Sequence, residues 1–197
     1  TGPDGRVNTE DDCGCAGANV CQRDGTCREP TPTACDEIIG DDTRLEVDIG
    51  SEENPCPSNG LTIGSDNVVL DCQGHTIYGN DAHAGITINR KHNVEIRNCK
   101  VKNFNRGISA EHSSDVTITG KSEITNSNEF GIYFRETTVS HITDNIISDN
   151  EEGIYLESSS SGNIIERNTL ADNIITGIKT RSSQSNQIRE NQITGSQ

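Results

Sequence analysis

Side chains able to do chemistry are few in this chain, and their spacing says what they are for. Eight cysteines stand at Cys13, Cys15, Cys21, Cys27, Cys35, Cys56, Cys72 and Cys99, six of them within the first 60 residues. An even number clustered in an acidic, polar segment points to disulfides formed in an oxidising, extracytoplasmic compartment. Zinc is the competing use. No C-x-x-C pair occurs, however, and the spacing of the first four cysteines suits a small disulfide knot better. The five histidines, His75, His83, His92, His112 and His141, are scattered through different turns, and His141 shares its turn with Asp144. Tyr133 and Tyr155 sit in matching Gly-Ile-Tyr triplets and could offer ring faces to a sugar. A plain aromatic ladder propping a sheet is the structural alternative. No residue is assigned a catalytic role.

Composition narrows the setting for these groups. Hydrophobic residues make up 29% of the 197, aromatics 3%, and there is no Trp or Met, so a core of ordinary proportions is hard to assemble. Disorder competes with a fold at such values. Against it, Ile and Val recur singly at regular places, as thin strands around a narrow core require. The net charge is −15; the first 60 residues hold 4 Lys/Arg and 14 Asp/Glu, a net of −10, leaving −5 for the rest. Such a chain should not seek nucleic acid or an anionic membrane surface, and no segment reads as inserting into a membrane. With no signal peptide present, the chain reads as a processed, secreted or cell-surface form.

The positioning elements appear once the sequence is compared with itself. Glycine followed by Ile or Leu occurs at Gly60, Gly85, Gly107, Gly131, Gly153 and Gly177, at spacings of 25, 22, 24, 22 and 24. Val101, Ile124, Ile147, Leu170 and Ile193 are each 23 apart, as are Cys99, Ser122, Asn145, Asn168 and Asn191. The same step joins Ile96, Thr119, Ile142, Ile165 and Ile188. A period of 22–25 with several short strands per repeat predicts a β-solenoid of about six coils. Like residues then lie over like at about 4.8 Å, with Ile and Val ladders inside and Asn ladders at corners. A leucine-rich repeat is excluded, because the whole chain has five Leu. Lys121, Asp144, Arg167 and Glu190, again 23 apart, predict an outer ladder of alternating charge. Thr87, Ser109, Tyr133, Tyr155 and Lys179 share one outward place, second after each repeat glycine.

The stretch "NGLTIGSDNVVLDCQGHTIYG", followed by "GITINRKHNVEIRNCKVKNFNRGIS", resembles the parallel β-helix repeats of the pectate-lyase-like superfamily, and above all NosD-like repeat proteins. The resemblance covers about residues 35–197. It implies an all-β, right-handed parallel β-helix, in which Asn67–Leu70, Asn93–Ile96 and Asp115–Ile118 are equivalent strands. It further implies that Cys72 bonds Cys99 on the neighbouring turn, that Cys35 bonds Cys56, and that Cys13, Cys15, Cys21 and Cys27 pair among themselves. The superfamily includes polysaccharide lyases, epimerases and hydrolases. The Asp-Pro-His motif of the epimerases is absent here.

Residues 1–34 form an acidic Cys-rich module and Pro/Thr linker, 35–59 a cap coil, and 60–197 the repeats. The opening "PDGRVNTEDD" resembles the second half of an EF-type calcium loop, with Asp4, Asn8 and Asp11 at ligand positions and Gly5 at the sharp turn. Ca2+ is therefore the cofactor candidate, set against a solvated acidic loop. The repeats stop at "NQIRENQITGSQ" without a capping element, so either truncation or self-association through the solenoid ends is expected. The functional expectation is a secreted or cell-surface structural and adhesive solenoid rather than an enzyme, with head-to-tail assembly as the subunit of an extracellular filament. The alternative is a protein that acts on, or binds, polysaccharide.

Overall fold

The computed structural model describes residues 34–196 together with two short strands, Val20–Cys21 and Cys27–Arg28. The chain divides into two compact units, Thr1–Pro32 and Thr33–Gln197. In the first, the two short strands pair antiparallel with Cys21 opposite Cys27. Asp4, Asn8, Asp11, Cys13 and Cys15 lie outside the described residues, as does the bonding of Cys21 and Cys27.

The second unit is a parallel β-solenoid of about seven turns, without a helix among the described residues. The first sheet stacks Glu37–Ile39, Leu61–Ile63, Ala84–Asn89, Arg106–Glu111, Phe130–Arg135, Glu152–Glu157 and Thr176–Arg181. The second stacks Thr43–Arg44, Val69–Asp71, His92–Arg97, Ser114–Thr119, His141–Thr143, Ile164–Glu166 and Gln187–Arg189. The third has six strands, from Thr76–Tyr78 through Lys100–Lys102, Glu123–Thr125, Ile146–Ser148 and Thr169–Ala171 to Gln192–Thr194. The glycine series begins only at Gly60 and so misses the first turn, where Glu37–Ile39 pairs in register with Leu61–Ile63.

Strands this short stay apart from one another because left-handed residues turn the chain at the corners. Asn98, Lys121, Asp144, Arg167 and Glu190 all have φ between 53° and 61°, and Asn103, Asn126, Asp149 and Asp172 between 53° and 58°. Each such residue outside glycine costs on the order of 1 kcal/mol, least for Asn and Asp. The cost is offset inside, where Ile, Val and Leu rungs are fully buried, each contributing roughly 1.5–3 kcal/mol. The inner column runs Leu70, Ile96, Ile118, Ile142, Ile165, Ile188. Thr119, which the strict 23-residue step selects, instead points outward beside Arg97, because side chains alternate and one coil is a residue shorter.

Buried amides line all three corners. Asn168 Oδ1 accepts from Asn145 N at 3.0 Å, and its Nδ2 donates to Ile142 O at 2.8 Å. Asn150 and Asn173 repeat this at the second corner, and Asn163 and Asn186 at the third. The repeat glycines are required by crowding: a Cβ on Gly107 would lie 2.2 Å from Ile124 Cγ2 and 2.5 Å from Gly131 O.

Two disulfides staple the early turns, Cys35–Cys56 and Cys72–Cys99, as the resemblance implied. The outer charge ladder is only partly made. Asp144 takes a two-pronged contact from Arg167, at 3.0 and 3.1 Å, but Arg167 turns its third nitrogen to Glu166 rather than Glu190. Among the described residues, Lys121 has no carboxylate within 4 Å.

Candidate functional site

Strand alternation turns three columns of the first sheet to the outside. One is Ala84, Arg106, Phe130, Glu152, Thr176; the next Thr87, Ser109, Tyr133, Tyr155, Lys179; the third Asn89, Glu111, Arg135, Glu157, Arg181. The middle column is the one the glycine spacing predicts. Its two tyrosines do lie on adjacent rungs, but with a third ring that sequence reasoning missed. Phe130 stacks on Tyr133 with centroids 5.0 Å apart and planes 12° apart, and lies 4.9 Å from Tyr155. The signal for it was available: Phe130 directly precedes its repeat glycine, in the column that Arg106 and Glu152 occupy on neighbouring turns.

Cations cover these rings. Arg106 Cζ sits 4.2 Å from the Tyr133 centroid and Lys179 Nζ 5.0 Å from that of Tyr155. Tyr133 and Tyr155 are consequently only 4% and 6% exposed, although they stand on the outer face. They are props for the sheet more than open platforms. Their hydroxyls both donate to Glu157, to Oε1 from Tyr133 and to Oε2 from Tyr155 at 3.1 Å. Burial, then the bond to Glu157, pushes the Tyr133 hydroxyl well above its usual range. The same bond from Tyr133 holds the Glu157 carboxyl below the ordinary glutamate value. Lys179 donates to Glu152 Oε1 at 2.5 Å, which raises the lysine.

Where the column changes from Tyr to Ser and Thr, the face steps down. A recess of about 250 Å³ opens over Thr87 and Ser109, rimmed by Asn59, His83, Asn105 and Arg106. Arg106 is held in place by Glu129 at 2.9 Å and Glu111 at 3.4 Å. Asn105 Nδ2 donates to Glu129 at 3.0 Å. The recess thus has a fixed guanidinium wall backed by Tyr133, a hydroxyl floor and one imidazole, a set able to bind a polar, ring-shaped molecule.

The other histidines are not brought together. His75 Nδ1 lies 3.1 Å from Asp48, His92 Nδ1 2.7 Å from Ser114 Oγ, and His112 Nδ1 3.0 Å from Glu136. Asp144, beside His141 in sequence, is engaged by Arg167.

Residues 34–197 match the family model described as "Periplasmic copper-binding protein (NosD)". No curated protein matches the chain. Among solved structures, it is similar to the enzymatically active domain of tailspike protein 2 from bacteriophage CBA120, at 12% identity and a TM-score of 0.45 over 80% of this chain and 39% of that one. It is also similar to a mutant DFA-IIIase from Arthrobacter chlorophenolicus A6 in complex with DFA-III, at 16% identity and a TM-score of 0.43, over 73% and 40%. The chain spans about two-fifths of the length of these structures.

Proposed function

The chain belongs to the NosD family, and from that premise we propose a structural and adhesive β-solenoid of the cell envelope or cell surface, which holds carbohydrate in the recess over Thr87 and Ser109. The family description is periplasmic, and the two disulfides agree with an oxidising compartment. The observation that carries the adhesive reading is the recess. Small hydroxyl residues interrupt an aromatic column there, and amide, imidazole and guanidinium groups converge on the step. Sugar rings present an apolar face and a rim of hydroxyls, which such a site matches. Tyr133 and Tyr155 serve as wall and support.

Oligosaccharides, neutral and uronic, titrated against labelled protein should shift the backbone amides of Thr87 and Ser109. Ser109→Tyr, which continues the aromatic column into the recess, should abolish binding and leave the fold intact. Binding that survives Ser109→Tyr would overturn the reading. Release of unsaturated sugars from a uronic-acid polymer would replace it with the alternative, a lyase. Self-association through the solenoid ends belongs to the same proposal and is tested by sedimentation over a range of concentrations.

Copper, in the family's description, calls for imidazole, thiolate or thioether donors. The chain has no Met, and Cys35, Cys56, Cys72 and Cys99 are consumed in disulfides. Among the described residues no three His, Cys, Asp or Glu side chains converge as a metal site needs. The residues of the solenoid do not fit the metal, and no copper chemistry is assigned to them.

A further inference from the structure

The charge of this protein is unevenly spread in a second way. Against a net −15, residues 90–121 hold 7 Lys/Arg and 3 Asp/Glu. The fold gathers part of this stretch, with Arg44 from the first turn, at the corner between the second and third sheets. A groove of about 490 Å³ opens there, with Arg44, Lys100 and Lys121 along it and two carboxylates, Asp71 and Glu123, in its lining. It lies on a different part of the coil from the recess over Ser109. Gly74 and Gly120 form its bend, both with positive φ (85° and 74°), and a Cβ on Gly74 would meet nothing within 4 Å. Backbone is therefore directly open to whatever enters.

Ion pairing within the groove is left incomplete. Arg44 stands 4.0 Å from Asp71, and Lys100 3.8 Å from Glu123, both beyond hydrogen-bond distance. Lys121 has no carboxylate within 4 Å among the described residues. Asp71 does not need Arg44, since it already accepts from Asn98 Nδ2 at 2.9 Å, Gln73 N at 3.0 Å and Arg97 Nε at 3.1 Å. Three cations from the first, third and fourth turns thus face one concavity, two of them in long ion pairs and Lys121 with no carboxylate within 4 Å among the described residues. Elsewhere on this surface arginines close on carboxylates at 2.5–3.6 Å. A guanidinium fork and two ammonium groups, set about 4.8 Å apart per rung, suit a group with several acceptor oxygens.

We propose that this corner groove is an oxyanion site that takes a phosphate- or sulfate-type group through Arg44, Lys100 and Lys121. The acidic remainder of the surface repels anions, so binding is confined to this corner. The source of the group is a free ion or a polymer that carries it.

The test titrates isotope-labelled protein with inorganic phosphate and sulfate, against chloride at equal ionic strength, following the Gly74 and Gly120 amides. Saturable shifts there with phosphate or sulfate, and none with chloride, are expected. Arg44→Ala and Lys121→Ala should each weaken binding about tenfold, one lost charge-assisted contact. Lys91→Ala, a cation of the same stretch outside the groove, should change nothing. Sulfated dextran, with neutral dextran as control, separates the sources: binding at least tenfold tighter than free sulfate assigns the group to a polymer, and equal binding per sulfate assigns it to the free ion. The proposal is overturned by the absence of saturable shifts, or by Lys91→Ala weakening binding as much as Lys121→Ala.

Discussion

Tyr133 and Tyr155 stand on adjacent rungs with ring centroids 6.0 Å apart and donate both hydroxyls to one carboxylate, that of Glu157. The arrangement ties the third outer column to the second. It also makes an exposed-looking face depend on protonation.

The hydroxyl of Tyr133 is held above the ordinary tyrosine value of about 10 by burial and by Glu157. A tyrosine whose pKa is higher folded than unfolded binds its proton more tightly in the native state, so stability falls as pH rises above the unfolded value. The contribution is fully present below pH 10 and is lost as pH climbs towards the raised folded value. Tyr133→Phe should cost about 2 kcal/mol at neutral pH, the scale of a hydrogen bond to a charged group. Urea denaturation should show that difference shrinking above pH 10. A gap that stays constant to about pH 11 refutes the coupling.

Gly107→Ala should be strongly destabilising although φ permits alanine there. The new Cβ would press Ile124 Cγ2 at 2.2 Å and the carbonyl of Gly131 at 2.5 Å, and the latter is backbone that cannot swing aside. Overpacking of this kind costs about 1–3 kcal/mol or more. A thermal melt within 1 °C of wild type would show that the rungs can spread.

Val139 offers the opposite case. It has φ 54°, is 62% exposed, and its N donates to Ser161 O at 3.2 Å. A β-branched residue in the left-handed region is an outlier with no packing to justify it. Val139→Asn keeps the backbone bond and should gain about 1 kcal/mol. Chemical denaturation reads the sign directly, and a loss of stability would mean that the valine is held by something other than its rung.

Ladders of like residues were legible because a solenoid repeats its environment at each turn. Val101, Ile124 and Ile147 needed only to be counted off, and the Asn145, Asn168 and Asn191 column likewise. Two equivalent amide columns went unread, though Ser127, Asn150, Asn173 and Ser140, Asn163, Asn186 keep the same step. Thr119 shows the limit of counting. A coil one residue shorter leaves hydrogen bonding intact but exchanges inside for outside, so Ile118 takes the core place. The outer face was harder still. Arg106 over Tyr133, and the recess beside it, arise from three columns meeting, and each column taken singly looks ordinary. Lys121 was placed in a charge ladder by its spacing alone, yet its side chain does not close on Asp144, because an outer corner leaves long side chains free to choose.

The two disulfides should differ in how readily they open. Cys72 and Cys99 are both fully buried among core residues, whereas Cys35 is only partly covered at the first turn. A reductant attacks through a thiolate that must reach one sulfur, so access orders the two bonds. Mild reduction followed by alkylation and mass spectrometry should label Cys35 and Cys56 first, with Cys72 and Cys99 protected until the solenoid opens. The sequence separation of 21 in the first bond and 27 in the second gives each a chain-entropy contribution of about 3 kcal/mol. Replacing Cys35 and Cys56 together by Ser should therefore lower stability by about that much and loosen the first turn, where Glu37–Ile39 pairs with one neighbouring strand among the described residues. Replacing Cys72 and Cys99 should cost more, because two hydroxyls would then lie in a dry core. Equal losses for the two pairs, or labelling of Cys72 and Cys99 first, would contradict this ordering.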